Sequence, residues 1–254
     1  MKNILLIQEK FMVALILSLI SFNLGHAQSE TVKLSRFSEV TISPYIEVIF
    51  KQAHEESVVI ENSQVAREKI NIENDGKELH IFLEDAKIIG KEKEIEVNGH
   101  EMKRPIYKGA EVRITVNYKD LDEVEIRSEE RIQFKDPITS AIFNLDIYGS
   151  PKVYFENITA EEFKVALYGE SYLEVKGGKV GFQRYRCYGS SEVNTLDLES
   201  NETQIAAYGS NHVVVNVLEE LKVTAFGEAS IEYKGDAKLK NGLKIGETVI
   251  HKID

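Results

Sequence analysis

The sequence predicts an all-β fold: a parallel β-helix with coils of about 20 residues, preceded by a section of N-terminal strands. Three observations carry that expectation. Tyr148-Gly149-Ser150, Tyr168-Gly169-Glu170, Tyr188-Gly189-Ser190 and Tyr208-Gly209-Ser210 recur at 20-residue spacing, and Phe226-Gly227-Glu228 follows after 18. The chain has 11 Tyr and 16 Gly among 254 residues, so chance would supply only about 0.7 Tyr-Gly pairs, and four in register mark a repeat. Between the motifs apolar and polar residues alternate, the period of a half-buried strand. Beyond the N-terminal leader no convincing amphipathic helix of ten residues or more is found.

Residues 1–27 read as a signal peptide. Lys2 and Lys10 precede the apolar run Phe11–Phe22, which is too short for a comfortable membrane span, and Gly25-His26-Ala27 offers small residues for cleavage before Gln28. No cysteine follows the cleavage point to carry a lipid anchor. The mature chain, 28–254, is expected to be a single β-helix domain without a transmembrane segment. Within it, 28–110 supplies N-terminal strands, and 111–254 supplies the repeat coils and a C-terminal cap.

Alternation at Val32/Leu34, Val40/Ile42 and Ile46/Val48/Phe50 predicts the first strands. Ser57–Glu61 and Glu78–Leu83 repeat the pattern, with the turn signal Asn74-Asp75-Gly76 between them and a short helical turn in Gln64–Lys69. Residues 88–109 are highly charged, and Asn98-Gly99 between two alternating runs favours a two-residue hairpin. That arm serves either as a solvated hairpin or as a partner contact, and Pro105 suits an edge strand.

Aligning the repeats on their aromatic residue predicts the inside of each coil. One residue before it stand Ile147, Leu167, Cys187, Ala207 and Ala225; three before it stand Leu145, Val165, Tyr185, Ile205 and Val223. Val153/Phe155, Leu173/Val175, Val193/Thr195, Val213/Val215 and Ile231/Tyr233 mark a second strand in each unit. A 20-residue unit cannot bury its own apolar face, and stacked coils solve this because each covers its neighbour. Each glycine is expected at a corner, with Ser150, Ser190 and Ser210 bonding to their own turn. Propeller blades need about 40–50 residues, so that architecture is excluded. Residues 236–254 should form an irregular last coil, with Lys238, Lys240 and Lys244 discouraging further pairing.

Phe37–Gln52, the segment VRITVNYKDLDEVEI at 112–126, the glycine-centred repeats and IEYKGDAKL at 231–239 together resemble one bacterial family. It is labelled putative auto-transporter adhesin, head GIN domain, and is common in Bacteroidetes. The resemblance covers nearly the whole mature chain and implies a right-handed β-helix exported to the periplasm or cell surface of a Gram-negative bacterium. It carries no catalytic residues. The chain departs from the usual pattern by placing Tyr or Phe before each glycine.

Composition narrows the function. Acidic residues outnumber basic ones 42 to 31, and loss of the leader moves the charge from −11 to −12, which argues against a nucleic-acid binder. A single cysteine, Cys187, forbids an internal disulfide or a cysteine-built zinc site, and its inward register makes it core filler. A glycosidase needs two carboxylates across the scissile bond. Among the repeats no such pair stands in register: Asp146 is followed by Ala166, Arg186 and Ala206, and the five mature histidines are scattered. No catalytic residue, metal or cofactor is expected.

Two functions from different classes remain: an exported binding or adhesion module for a glycan or envelope polymer, and a structural or accessory envelope protein making protein–protein contacts. A polysaccharide-active enzyme is a third. For the first, the expected surface is an outward stripe of Tyr148, Tyr168, Tyr188, Tyr208 and Phe226, roughly 19 Å long at a strand spacing of about 4.8 Å. Its rings would offer flat faces and hydroxyls to sugars. Alternatively the stripe only stabilises the coils.

Overall fold

The computed structural model describes residues 29–87, 92–97 and 100–254. The signal segment and the Asn98-Gly99 turn lie outside the described residues. The solenoid opens with β2 (Glu39–Ile42) and β3 (Ile46–Gln52), which follow the short strand β1 (Glu30–Lys33). Alternation turns Val40, Ile42, Ile46, Val48 and Phe50 inward, none more than 2% exposed.

The chain then leaves the coil through β4 (Ser57–Ser63), a 3-10 turn at Arg67–Lys69, β5 (Ile70–Asp75) and β6 (Glu78–Leu83). It returns by β7 (Glu92–Val97), β8 (His100–Pro105) and β9 (Val112–Tyr118). β6 lies parallel to β2 and β9 parallel to β3, and β5 and β4 pair antiparallel on their other edges. β1 closes against β4. This mixed tier covers the first coil, where bare strand edges would otherwise recruit other chains. β7 and β8 pair antiparallel as a separate two-stranded sheet, from Glu92 opposite Pro105 to Val97 opposite His100.

β10 (Glu123–Ser128) and β11 (Arg131–Phe134) then lie parallel on β2 and β3. The coils continue through β12 (Ile138–Gly149), β13 (Lys152–Phe155), β14 (Ile158–Gly169), β15 (Tyr172–Val175) and β16 (Gly178–Gly189). β17 (Glu192–Lys234) follows and winds through more than one coil. Register partners are offset by the repeat: Leu145 beside Val165, then Tyr185, then Ile205. In the long strands the inward phase changes between Ile158 and Phe163, so each strand bends there around a corner. The last coil is β18 (Lys238–Ile245) and β19 (Thr248–Lys252), parallel to β17 with a register shift between Val223 and Ala225. That register shift makes it irregular. Lys240 pairs with Glu220 at 2.6 Å, while Leu243, Ile245 and Val249 stay more than half exposed.

Gly169 and Gly189 show why the corner needs glycine. Their φ angles are +132° and +126°, and an added Cβ would stand 2.2 and 2.4 Å from the carbonyl oxygen of the glycine one coil earlier. The sequence predicts that Ser150, Ser190 and Ser210 bond to their own turn, but the turn residues bond between coils instead. The N–H groups of Glu170 and Ser190 donate to Gly149 and Gly169 carbonyls at 3.0 and 2.9 Å. It is the next residue, buried Ser171 or Ser191, whose hydroxyl also donates to those carbonyls, at 3.3 and 3.4 Å. Successive coils are close enough to offer a better-aligned acceptor than the turn itself.

Inside, Phe50, Phe134 and Phe155 stack at 4.4 and 3.9 Å, one per coil. Further along, the interior turns polar. Gln183 donates to Ser200 and Thr203 at 2.9 Å each, and Tyr185 donates to Gln183 at 2.8 Å and lies 3.1 Å from Thr195 Oγ1. These side chains are almost wholly buried and satisfy one another, which avoids the cost of orphaned polar groups. Cys187 sits between Leu167 and Ala207, fully buried, and burial pushes its thiol up to about 12. It is core filler.

Candidate functional site

The outer face of the sheet formed by β12, β14, β16 and β17 gathers the predicted residues. Each ladder ring follows an inward residue one position earlier, so strand alternation turns it outward. Tyr148, Tyr168, Tyr188, Tyr208 and Phe226 stack in one column with centroid steps of 4.8, 5.0, 4.9 and 5.2 Å and planes within 6° of parallel. Tyr168 and Tyr188 are 38% and 37% exposed, the others half-buried.

One feature differs from expectation. The ring faces are turned on each other, because the coil spacing of about 4.8 Å is itself an aromatic stacking distance. Outward the column presents ring edges and hydroxyls. Among the described residues no ladder hydroxyl has a hydrogen-bond partner within the chain. At one end Tyr148 lies beside Arg127 of β10, and at the other Phe226 lies beside Ile245 of β18. Burial, with Asp146 and Glu125 adding, raises the Tyr148 phenol above its ordinary value.

The columns next to the ladder carry charge. Two residues before the aromatics run Glu125, Asp146, Ala166, Arg186 and Ala206, and four before run Glu123, Asn144, Lys164, Arg184 and Gln204. Between them lies a cleft of about 220 Å³, with acidic groups at the N-terminal end and basic groups one or two coils on. Sequence reasoning passed over it, although the alternation Asp146, Ala166, Arg186, Ala206 was the legible signal. Burial, then Glu125, raises the Asp146 carboxyl above its ordinary value, with Arg186 opposing. Burial, then Glu39, does the same for Glu123.

A carboxylate pair does stand in register, with one member outside the repeats aligned on their aromatic residue. β10 lies before the first Tyr-Gly repeat, and it places Glu125 directly beside Asp146. The two project from one sheet in the same direction, rather than facing each other across a gap that a glycosidic bond could enter. Arg127 further holds Glu125 at 2.5 Å. Among the described residues no group of three or more His, Cys, Asp or Glu is placed to hold a metal ion. No helix among them is long and apolar enough to cross a membrane.

Comparison with known proteins places this architecture. A crystal structure described as a putative adhesin from Bacteroides fragilis is similar with a TM-score of 0.72 at 16% identity, over 89% of this chain and 96% of that one. A putative adhesin from Parabacteroides distasonis is similar at 0.63 and 16% over the same shares. A protein from that organism described as a putative lipid binding protein is similar at 0.58 and 20%, again over 89% and 96%. At these identities the likeness establishes the fold alone. No match is found among curated proteins. At the level of sequence, residues 36–237 match a family profile, and the chain belongs to the family described as putative auto-transporter adhesin, head GIN domain.

Proposed function

We propose that this non-enzymatic module of adhesin type binds a glycan or envelope polymer along the outer face of β12, β14, β16 and β17. The carrying observation is the aromatic column. Four of its five rings bear hydroxyls that have no partner among the described residues, in a row repeating every coil. Stacking alone does not require them: Phe226 stacks on Tyr208 at 5.2 Å and 3° without one. The interior of the coils is filled by the phenylalanine stack, so a ligand meets the chain from outside. An auto-transporter adhesin family implies export and surface association. We place this member at the envelope, facing polymers in the periplasm or at the cell surface. A protein partner is the second reading, favoured by exposed Leu243, Ile245 and Val249 on the last coil.

The test separates ring from hydroxyl. The triple variant Tyr168→Phe, Tyr188→Phe, Tyr208→Phe keeps the stack and removes three donors. Against a panel of host and bacterial glycans, binding should fall about tenfold while the melting temperature holds. Wild-type protein that binds no glycan but co-purifies with one envelope protein would move the function to the second reading. Binding untouched by the triple substitution would leave the column as scaffold.

A further inference from the structure

The geometry points to a subsite for one acidic sugar unit, a hexuronate, in the cleft over Ala166, between Asp146 and Arg186. It rests on the reading of the outer face as a ligand surface and names the chemistry that this face selects. In the column beside the tyrosines, Asp146, Ala166 and Arg186 follow one another on consecutive strands. Two strand spacings, about 10 Å, therefore separate the backbones carrying the acid and the base. Ala166 contributes only a methyl group between them, which forms the floor of the cleft. Among the described residues neither Asp146 nor Arg186 has a hydrogen-bond or ion-pair partner. Were they on adjacent strands they would neutralise each other. The alanine coil keeps both available.

The basic side is reinforced. Arg184 Nε donates to Gln204 Oε1 at 3.2 Å and its guanidinium lies 5.2 Å over the Phe182 ring, so the head is positioned with its terminal N–H groups unused. Lys164, on the intervening strand, pairs with Glu162. A planar carboxylate suits such guanidinium forks, which bind it through two parallel hydrogen bonds. At the other side Asp146 and the Asn144 side chain accept hydrogen bonds from hydroxyls. A ligand filling the cleft thus carries an anion at one end and hydroxyl donors at the other, one ring-length apart. A hexuronate does. An α-amino acid holds its two charged groups on one carbon and cannot reach both walls, and a uniformly charged polyanion meets Asp146, Glu123 and the chain's net charge of −11.

The experiment compares a single galacturonate unit, as its methyl glycoside, with the methyl ester of the same compound, which removes the charge and keeps the ring. Wild-type protein should bind the acid at least about tenfold more tightly than the ester, and Arg186→Gln should abolish that preference. Arg186 is exposed, so the variant should melt with wild type. Asp146→Asn should weaken both ligands together, since it exchanges one of two carboxylate acceptors for an amide donor and removes the charge that strengthens the other, leaving the anion site intact. Equal binding of acid and ester, or a preference that survives Arg186→Gln, overturns the subsite while leaving a neutral-glycan surface intact. Absence of binding to any glycan on the panel removes the underlying reading and the subsite with it.

Discussion

The molecule builds the same object twice, once inside and once outside. Phe50, Phe134 and Phe155 form an inner column, and Tyr148 to Phe226 an outer one, each with one aromatic residue per coil and nearly parallel planes. The stacking itself is therefore a consequence of the repeat and says nothing of purpose. The surroundings differ. The inner rings are at most 1% exposed and carry no polar atom, whereas the outer rings keep an edge in water and, in four of five cases, a hydroxyl there. Energy of folding should reside mainly in the first column, and recognition in the second.

Truncation should expose that difference. Phe155→Ala opens a cavity between two coils and should cost about 3–5 kcal/mol in a denaturant titration. A loss below about 1 kcal/mol would mean that the coils close over the gap, and the inner column would lose its special standing. Tyr188→Ala removes stacking on both sides, but the residue keeps 37% of its surface in water, and the change should cost less, about 1–2 kcal/mol. A loss equal to that at Phe155 would collapse the distinction.

The smallest effect is expected at the charged column. Burial raises the folded-state pKa of Asp146 above its ordinary 3.8. The unfolded chain therefore gives up this proton first, so the carboxyl costs no stability below the unfolded value near 3.8, costs progressively more above it, and costs its full amount once pH has passed the folded value. Asp146→Asn should accordingly stabilise the protein slightly at pH 7 and lose that advantage at pH 3. A gain that is equal at both pH values would assign the effect to packing rather than charge.

The sequence made the repeat region legible to the level of individual side chains. The Tyr-Gly motif set the phase, and alternation from it placed Leu167 and Cys187 inside and Tyr168 and Tyr188 outside. The N-terminal tier was legible only as strands. Val124 lies beside Val40, separated by a long excursion, and no repeated motif links them. For the same reason Glu125 escaped the search for paired carboxylates: its strand precedes the first Tyr-Gly unit. The serines were misjudged by one position, because the acceptor that matters belongs to the coil before.

Within a coil, what a residue faces follows from its parity along the strand, a local property that the chain order alone determines. The 20-residue period, the inward apolar set and the corner glycines all have this character, and so does the outward set of the ladder. Between coils, what a residue meets depends on where the chain closes each turn, and only the tertiary structure decides that. It turned the tyrosine faces against one another, set Glu125 beside Asp146, and held Arg186 two coils away from the acid. The physical reason is the fixed strand spacing: every side chain acquires neighbours about 4.8 Å above and below, and their identity is a matter of register rather than of sequence proximity.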